Sequence, residues 1–209
     1  MLFIIVLGAL VILVTGVRLE ALAGEPYGYV ASVGHADAFH AKLESGQLSM
    51  FFAYDSQDQL GQHEILADPA DVLLHVVPEA ETVIPEGLPP SYGFLGQPGD
   101  PIWIIPETRN PDVIWAGLST QDLQPDEWAD LQLTFVDLAG PGDLFTWVTD
   151  PVGEAHEWWN SNALPQSLAF PPATHAHFNW AFTAGGRLRP VSDVFRDPQH
   201  AGGPDYRRG

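Results

Sequence analysis

The chain has 209 residues, 45% hydrophobic and 11% aromatic, enough for one domain with a substantial core and too apolar for global disorder. Its 8 Lys and Arg against 27 Asp and Glu give a formal charge of −19, which argues against a nucleic-acid partner and suits an extracellular protein or one that meets cations. It has no cysteine, so disulfides, thiolate metal sites and cysteine nucleophiles are excluded, and any metal must be held by His, carboxylates or carbonyls.

The first element in chain order is an almost unbroken apolar run over residues 2–17, shorter than the about 20 residues of a membrane span. Arg18 and Glu20 follow it, then Ala21-Leu22-Ala23, a small-x-small pattern like a signal-peptidase site. Residues 1–23 are therefore expected to be a signal peptide or an N-terminal anchor, although no Lys or Arg precedes the run.

From Gly24 onward the pattern is all-β, with Pro and Gly punctuating short apolar segments. Strands are expected over 48–54, 72–77, 102–105, 131–135, 144–149 and 168–170. No segment sustains helical apolar spacing over three turns; residues 122–131 could form a short helix at most. This reading gives an antiparallel two-sheet β-sandwich, immunoglobulin-like or jelly-roll-like, over residues 24–186.

The segment THAHFNWAFT (174–183) alternates cleanly. Phe178, Trp180 and Phe182 fall on one side, and His175, His177 and Asn179 on the other. A single half-buried strand is expected, with its aromatic face inward. Two residues apart on a strand, His175 and His177 point the same way, with Cα atoms about 6.5–7 Å apart, so both imidazoles can reach one ion.

At this segment the chain resembles the choice-of-anchor M domains, also described as actinobacterial-type surface-anchored or wall-associated repeat domains. Their T-H-x-H-x-N-W-x-F-T strand is matched by Thr174, His175, His177, Asn179, Trp180, Phe182 and Thr183. Gly34-His35-Ala36-Asp37 is similar to the family's G-H-x-D, and Asp71-Val72-Leu73-Leu74-His75-Val76 to its D-V-x-L-H-V strand. Phe94-Leu95-Gly96 through Pro101-Ile102-Trp103 also follows the family pattern, and the likeness covers roughly residues 33–185. It implies a secreted or surface-attached domain, and family members occur beside genes for ABC transporters of the zinc/manganese type. One feature departs: after Phe182-Thr183 the family's closing P-G-x-Y-x-L-x-F strand is replaced by Ala184-Gly185-Gly186-Arg187-Leu188-Arg189-Pro190. The sandwich is therefore expected to lack its last strand, with residues 187–209 an Arg-rich, unordered tail.

The metal-ligand candidates are His175, His177, His35 and His75, with Asp37 as a ligand or as the group that orients an imidazole. Zinc is the expected ion, since the donors are imidazoles and a carboxylate. Asn179 is expected to orient a neighbour or a backbone group, and His40, His63 and His200 to be surface residues. His156-Glu157-Trp158-Trp159-Asn160 misses the H-E-x-x-H of zinc proteases by its last residue and lies in a strand, so it is not catalytic. Trp158 and Trp159 are read as core rather than as a sugar-stacking platform. No phosphate loop, dinucleotide fingerprint, serine-hydrolase elbow or calcium loop is present. The function expected is non-catalytic: an extracellular surface-associated domain binding a divalent metal, in connection with a metal ABC-transporter component or a cell-wall partner. The alternative is a structural or adhesive module without metal, whose histidines only knit strands together.

Overall fold

The computed structural model describes residues 5–6, 11–14, 27–45, 47–58, 61–128 and 131–196. Its regular elements are strands and short 3-10 turns. In chain order the first are β1 (Ile5–Val6), β2 (Val11–Val14), β3 (Tyr29–Ala31), β4 (Gly34–Glu44), β5 (Gln47–Asp58) and β6 (Gly61–Ala67). The middle supplies β7 (Val72–Val76), β8 (Glu81–Val83), β9 (Pro101–Ile105), β10 (Ile114–Ser119) and β11 (Leu131–Ala139). The last are β12 (Leu144–Thr149), β13 (Ala155–Asn160), β14 (Gln166–Phe170), β15 (His175–His177), β16 (Asn179–Phe182) and β17 (Gly186–Arg196). The fold is all-β, and each strand expected between residues 48 and 170 is present. Where a short helix was allowed, residues 121–128 form turns, with the Glu127 and Trp128 N–H groups both donating to Gln124 O.

The strands form three sheets among the described residues, not two. A seven-stranded sheet runs β14-β11-β17-β2-β7-β3 with β1 beside β17. Two five-stranded sheets run β15-β10-β4-β5-β6 and β13-β12-β16-β9-β8. Their apolar faces meet in one shared core, including Ile12 and Leu74, Phe52 and Leu118, and Trp159 and Trp180. The arrangement is sandwich-like and mostly antiparallel, but β4–β10, β2–β7 and β3–β7 are parallel. Turn signals reveal neighbours joined by hairpins, whereas parallel partners are joined by long stretches of chain and leave no local mark.

The expectation of a missing last strand is wrong. β17 lies inside the seven-stranded sheet, pairing with β11 from Leu131↔Arg196 to Ala139↔Arg189 and with β2 through Gly186–Leu188. Pairing with β11 along most of its length, with β2 over its first three residues and with β1 at Asp193 and Val194 orders a segment with little apolar alternation. Residues 197–209 lie outside the described residues. At the other end, part of the run read as a leader is a strand: β2 sits between β17 and β7, with Ile12 fully buried. Cleavage after Ala23 would remove that strand; Ala23 itself lies outside the described residues.

The opening segment is also not one strand. His175–His177 pairs with β10, and Asn179–Phe182 pairs with β12 and β9, so the chain passes from one sheet to another at Phe178. The aromatic face is inward as expected: Phe178, Trp180 and Phe182 are fully buried. Trp180 stacks on Phe178 with ring centroids 5.0 Å apart and on Phe39 at 6.0 Å. Trp159 is buried and half-buried Trp158 packs on Phe178 and Phe170, which makes both core residues. The opposite face of β16 is covered as well, since Ala181, Phe145 and Trp147 pack against Ile84, Leu95 and Ile102. Asn179 is thus buried, and it orients backbone as expected. Its Oδ1 accepts from Glu107 N at 3.0 Å, and its amide donates to Trp147 O at 3.4 Å.

Candidate metal centre

Two strands carry the candidate ligands, and β10 runs between them. His35 and Asp37 come from β4, and His175 and His177 from β15. In register, Asp37 and His177 are the two cross-strand partners of Gly117, one on each side. With no side chain on Gly117, the groups on either side can lean over it and meet. A Cβ built there would lie 2.5 Å from Ala176 O and 2.8 Å from His177 Nδ1, so only glycine fits without displacement.

The result is a compact set of donors. His35, Asp37, His175 and His177 each offer a ligand atom, and these atoms all lie within 4.8 Å of one another. The three imidazoles form a triangle with centroid separations of 5.0–5.2 Å. His175 Nε2 is 3.2 Å from His35 Nε2 and 2.8 Å from Asp37 Oδ1, and His35 Nε2 is 3.5 Å from the same oxygen. A tetrahedral zinc ion with bonds of 2.0–2.1 Å sets its ligand atoms about 3.3 Å apart. These three atoms are thus spaced like one face of such a tetrahedron, and a His177 nitrogen lies within 4.8 Å of each of them.

Protonation supports the same arrangement. Asp55 Oδ2 lies 3.0 Å from His35 Nδ1 and, as a carboxylate, can only accept, which favours the tautomer whose Nδ1–H donates to it and whose Nε2 lone pair faces the cluster. His175 Nε2–H then donates to Asp37 and His35 together, which puts a single proton among three ligand atoms. His177 differs. Its ring stacks on Trp115 with centroids 3.6 Å apart and planes 9° from parallel, and Trp115 is fixed by its own N–H donating to Glu107 O at 2.8 Å. Both His177 nitrogens are buried, and neither closes a hydrogen bond of good geometry, the Ala116 carbonyl being near enough only for a weak attraction. Burial, reinforced by repulsion from His35 and His175, pushes its pKa down to about 4, although the Ala116 carbonyl and Asp37 pull the other way. A neutral imidazole with an unused buried lone pair is a ready metal ligand and an expensive group to bury for any other purpose.

Asp37 is 7% exposed in its side chain. Burial works to raise its carboxyl, but attraction from His40, His175 and His35 prevails and holds it below the usual carboxylate value, so it is an anion. The centre is open on one side, with the side chain of His175 32% exposed and that of His35 24% exposed.

Two expectations need correction. His75 is not part of the group: it is fully buried in β7, with its Nδ1 3.3 Å from Ser32 Oγ, as a core histidine with hydrogen-bonded company. Its strand belongs to the seven-stranded sheet, not to the sheet that carries the ligands. His40 is not a surface residue. It is 6% exposed and lies between Asp37 and Asp122, which raise its pKa in that order against desolvation. The His63 side chain and His200 lie outside the described residues, and His156 is an exposed strand residue 3.1 Å from Asp150 Oδ2. Sequence reasoning missed Asp55, His40 and Asp122, none of which belongs to an H-x-H or H-x-D pattern. It also missed Trp115 and Gly117, whose strand reads as core.

Comparisons of the chain with protein-family models, with curated proteins and with solved structures give no match. The reading of function therefore rests on the geometry of this site and on the sequence.

Proposed function

We propose that this chain is a non-catalytic, surface-associated extracellular domain that binds one divalent metal ion, zinc, through His35, Asp37, His175 and His177. The observation that carries the reading is His177, half-buried and stacked on Trp115, with both ring nitrogens buried and without a well-formed hydrogen bond and its ring 5.0 Å from two further imidazoles. Three imidazoles and one carboxylate suit zinc, and a formal charge of −19 raises the local cation concentration. The likeness to choice-of-anchor M domains supports a location at the cell surface and a partner among zinc/manganese ABC-transporter components or the cell wall.

The hydrogen bonds His35–Asp55 and His175–Asp37 favour a second reading, in which the histidines only tie β4, β5 and β15 together without metal. Metal content separates the two. Protein purified without chelator should hold about one zinc per chain, and added zinc should raise its melting temperature. The His175→Ala/His177→Ala double variant should show neither effect. Metal-free wild-type protein whose melting zinc does not move would establish the second reading.

A further inference from the structure

Among the described residues, His40 is a buried polar group that the proposed ligand set does not use and that lies against Asp37. It reaches the site through a fold irregularity. Strict alternation along β4 would put Phe39 on the face of His35 and Asp37. The pairing of β4 with β5 shifts register between Asp37 and His40, and that with β10 shifts between Gly117 and Leu118. Phe39 instead stacks on Trp180 in the core, and His40 joins Asp37. Bulges of this kind re-aim side chains beside functional sites.

The two nitrogens of His40 meet two carboxylates. Nε2 lies 3.2 Å from Asp122 Oδ2, which Lys42 Nζ also approaches at 3.9 Å. Nδ1 lies 3.7 Å from Asp37 Oδ2, and it is buried without a hydrogen-bond partner. The oxygens of Asp37 are thus divided: Oδ1 faces His175 and His35, and Oδ2 faces His40.

The geometry points to His40 as a positioning residue that holds Asp37 Oδ2 away from the ion, so that Asp37 binds through Oδ1 alone. This inference rests on the metal-binding reading above. One oxygen per carboxylate keeps the coordination number at four, which suits zinc. Calcium takes 6–8 oxygen ligands, often with bidentate carboxylates, and manganese favours octahedral oxygen sites, so both are disfavoured.

Cobalt(II) substitution together with zinc and manganese competition tests it in the full chain. Wild-type protein should give the intense visible absorption of four-coordinate cobalt. His40→Leu should lose 10–100-fold in zinc affinity, the range for partners that orient a ligand, weaken the cobalt bands and narrow the zinc-over-manganese preference. His40→Gln, which can still donate to Asp37, should recover part of each. If His40→Leu does not fold, Asp122→Asn serves, with smaller changes in the same directions. Wild-type zinc affinity, cobalt spectrum and metal preference in the folded variants would overturn the role of His40 and leave the metal site standing. Failure of the wild-type chain to bind zinc or cobalt would overturn both.

Discussion

Replacing Gly117 by alanine puts a methyl group where β10 passes between Asp37 and His177. The added Cβ would sit 2.5 Å from Ala176 O, 2.8 Å from His177 Nδ1 and 2.9 Å from His177 Cε1. Ordinary contact for such a carbon begins at 3.4 Å, so β15 must move by about 0.9 Å or the His177 ring must leave its stack on Trp115. The nearest atom is a backbone carbonyl in a paired strand and cannot swing aside. Overpacking of this kind costs about 1–3 kcal/mol, and the lower chain entropy of unfolded alanine returns about 0.4–1 kcal/mol of it. The expected net loss is between about 0 and 2.6 kcal/mol, centred near 1 kcal/mol, in metal-free protein, read from urea unfolding midpoints. Zinc affinity should fall as well, because His177 can no longer stand over the other three donors. Gly93 is the control: a Cβ there meets nothing within 4 Å and its backbone needs no glycine. Gly93→Ala should change stability by less than about 0.5 kcal/mol. Wild-type stability and zinc affinity in Gly117→Ala would refute the packing described around the site.

Trp180→Ala should destabilise the fold by about 3–5 kcal/mol, since the ring is 1% exposed, stacks on Phe178 and Phe39 and donates to Ala116 O at 3.4 Å. A loss below about 1 kcal/mol in chemical denaturation would contradict its place in the core. In metal-free protein the depressed pKa of His177 means that the unfolded chain binds more protons between about pH 4 and 6.5, so stability is whole above that window and falls as pH drops through it. At about 1.4 kcal/mol per pH unit and with the ring only partly buried, this amounts to at most about 3 kcal/mol. His177→Phe, which keeps the stack on Trp115, should flatten that acid limb, and an unchanged limb would speak against a neutral His177. His40 acts in the opposite sense and a different window: its pKa is raised, so its contribution is present below pH 6.5 and lost as pH rises above it. Deleting residues 1–23 removes β2 and leaves the facing edges of β7 and β17 unpaired, so the shortened protein should self-associate in sedimentation, whereas a stable monomer would show that β2 is dispensable.

Much of this molecule was legible because its strands are short, apolar and bounded by Pro and Gly. Val72–Val76, buried at every position, reads directly as a central strand, and the alternation of Phe178, Trp180 and Phe182 gives the inward face. The H-x-H and H-x-D spacings identified four donors because ligands two apart on a strand share a face. What could not be read depends on chain segments far apart in sequence. His35 meets His175 across 140 positions, and only the β15-β10-β4 order brings them together. His75 was misassigned because the D-V-x-L-H-V pattern says nothing about which sheet its strand joins. His40 was misassigned because no chelating partner stands near it in sequence, whereas a bulge in β4 brings it beside Asp37. β17 escaped notice because ladder bonds to β11 and β2 organise it, and its own residues alternate poorly.

X-ray absorption at the zinc edge, on protein loaded with one equivalent of zinc, tests the central claim most directly. The spectrum should show four light-atom ligands at about 2.0–2.1 Å, with the outer-shell scattering of three imidazoles, and a count of two in His177→Ala. Zinc surrounded by oxygen with one imidazole or none, or an unchanged imidazole count in the variant, would contradict it.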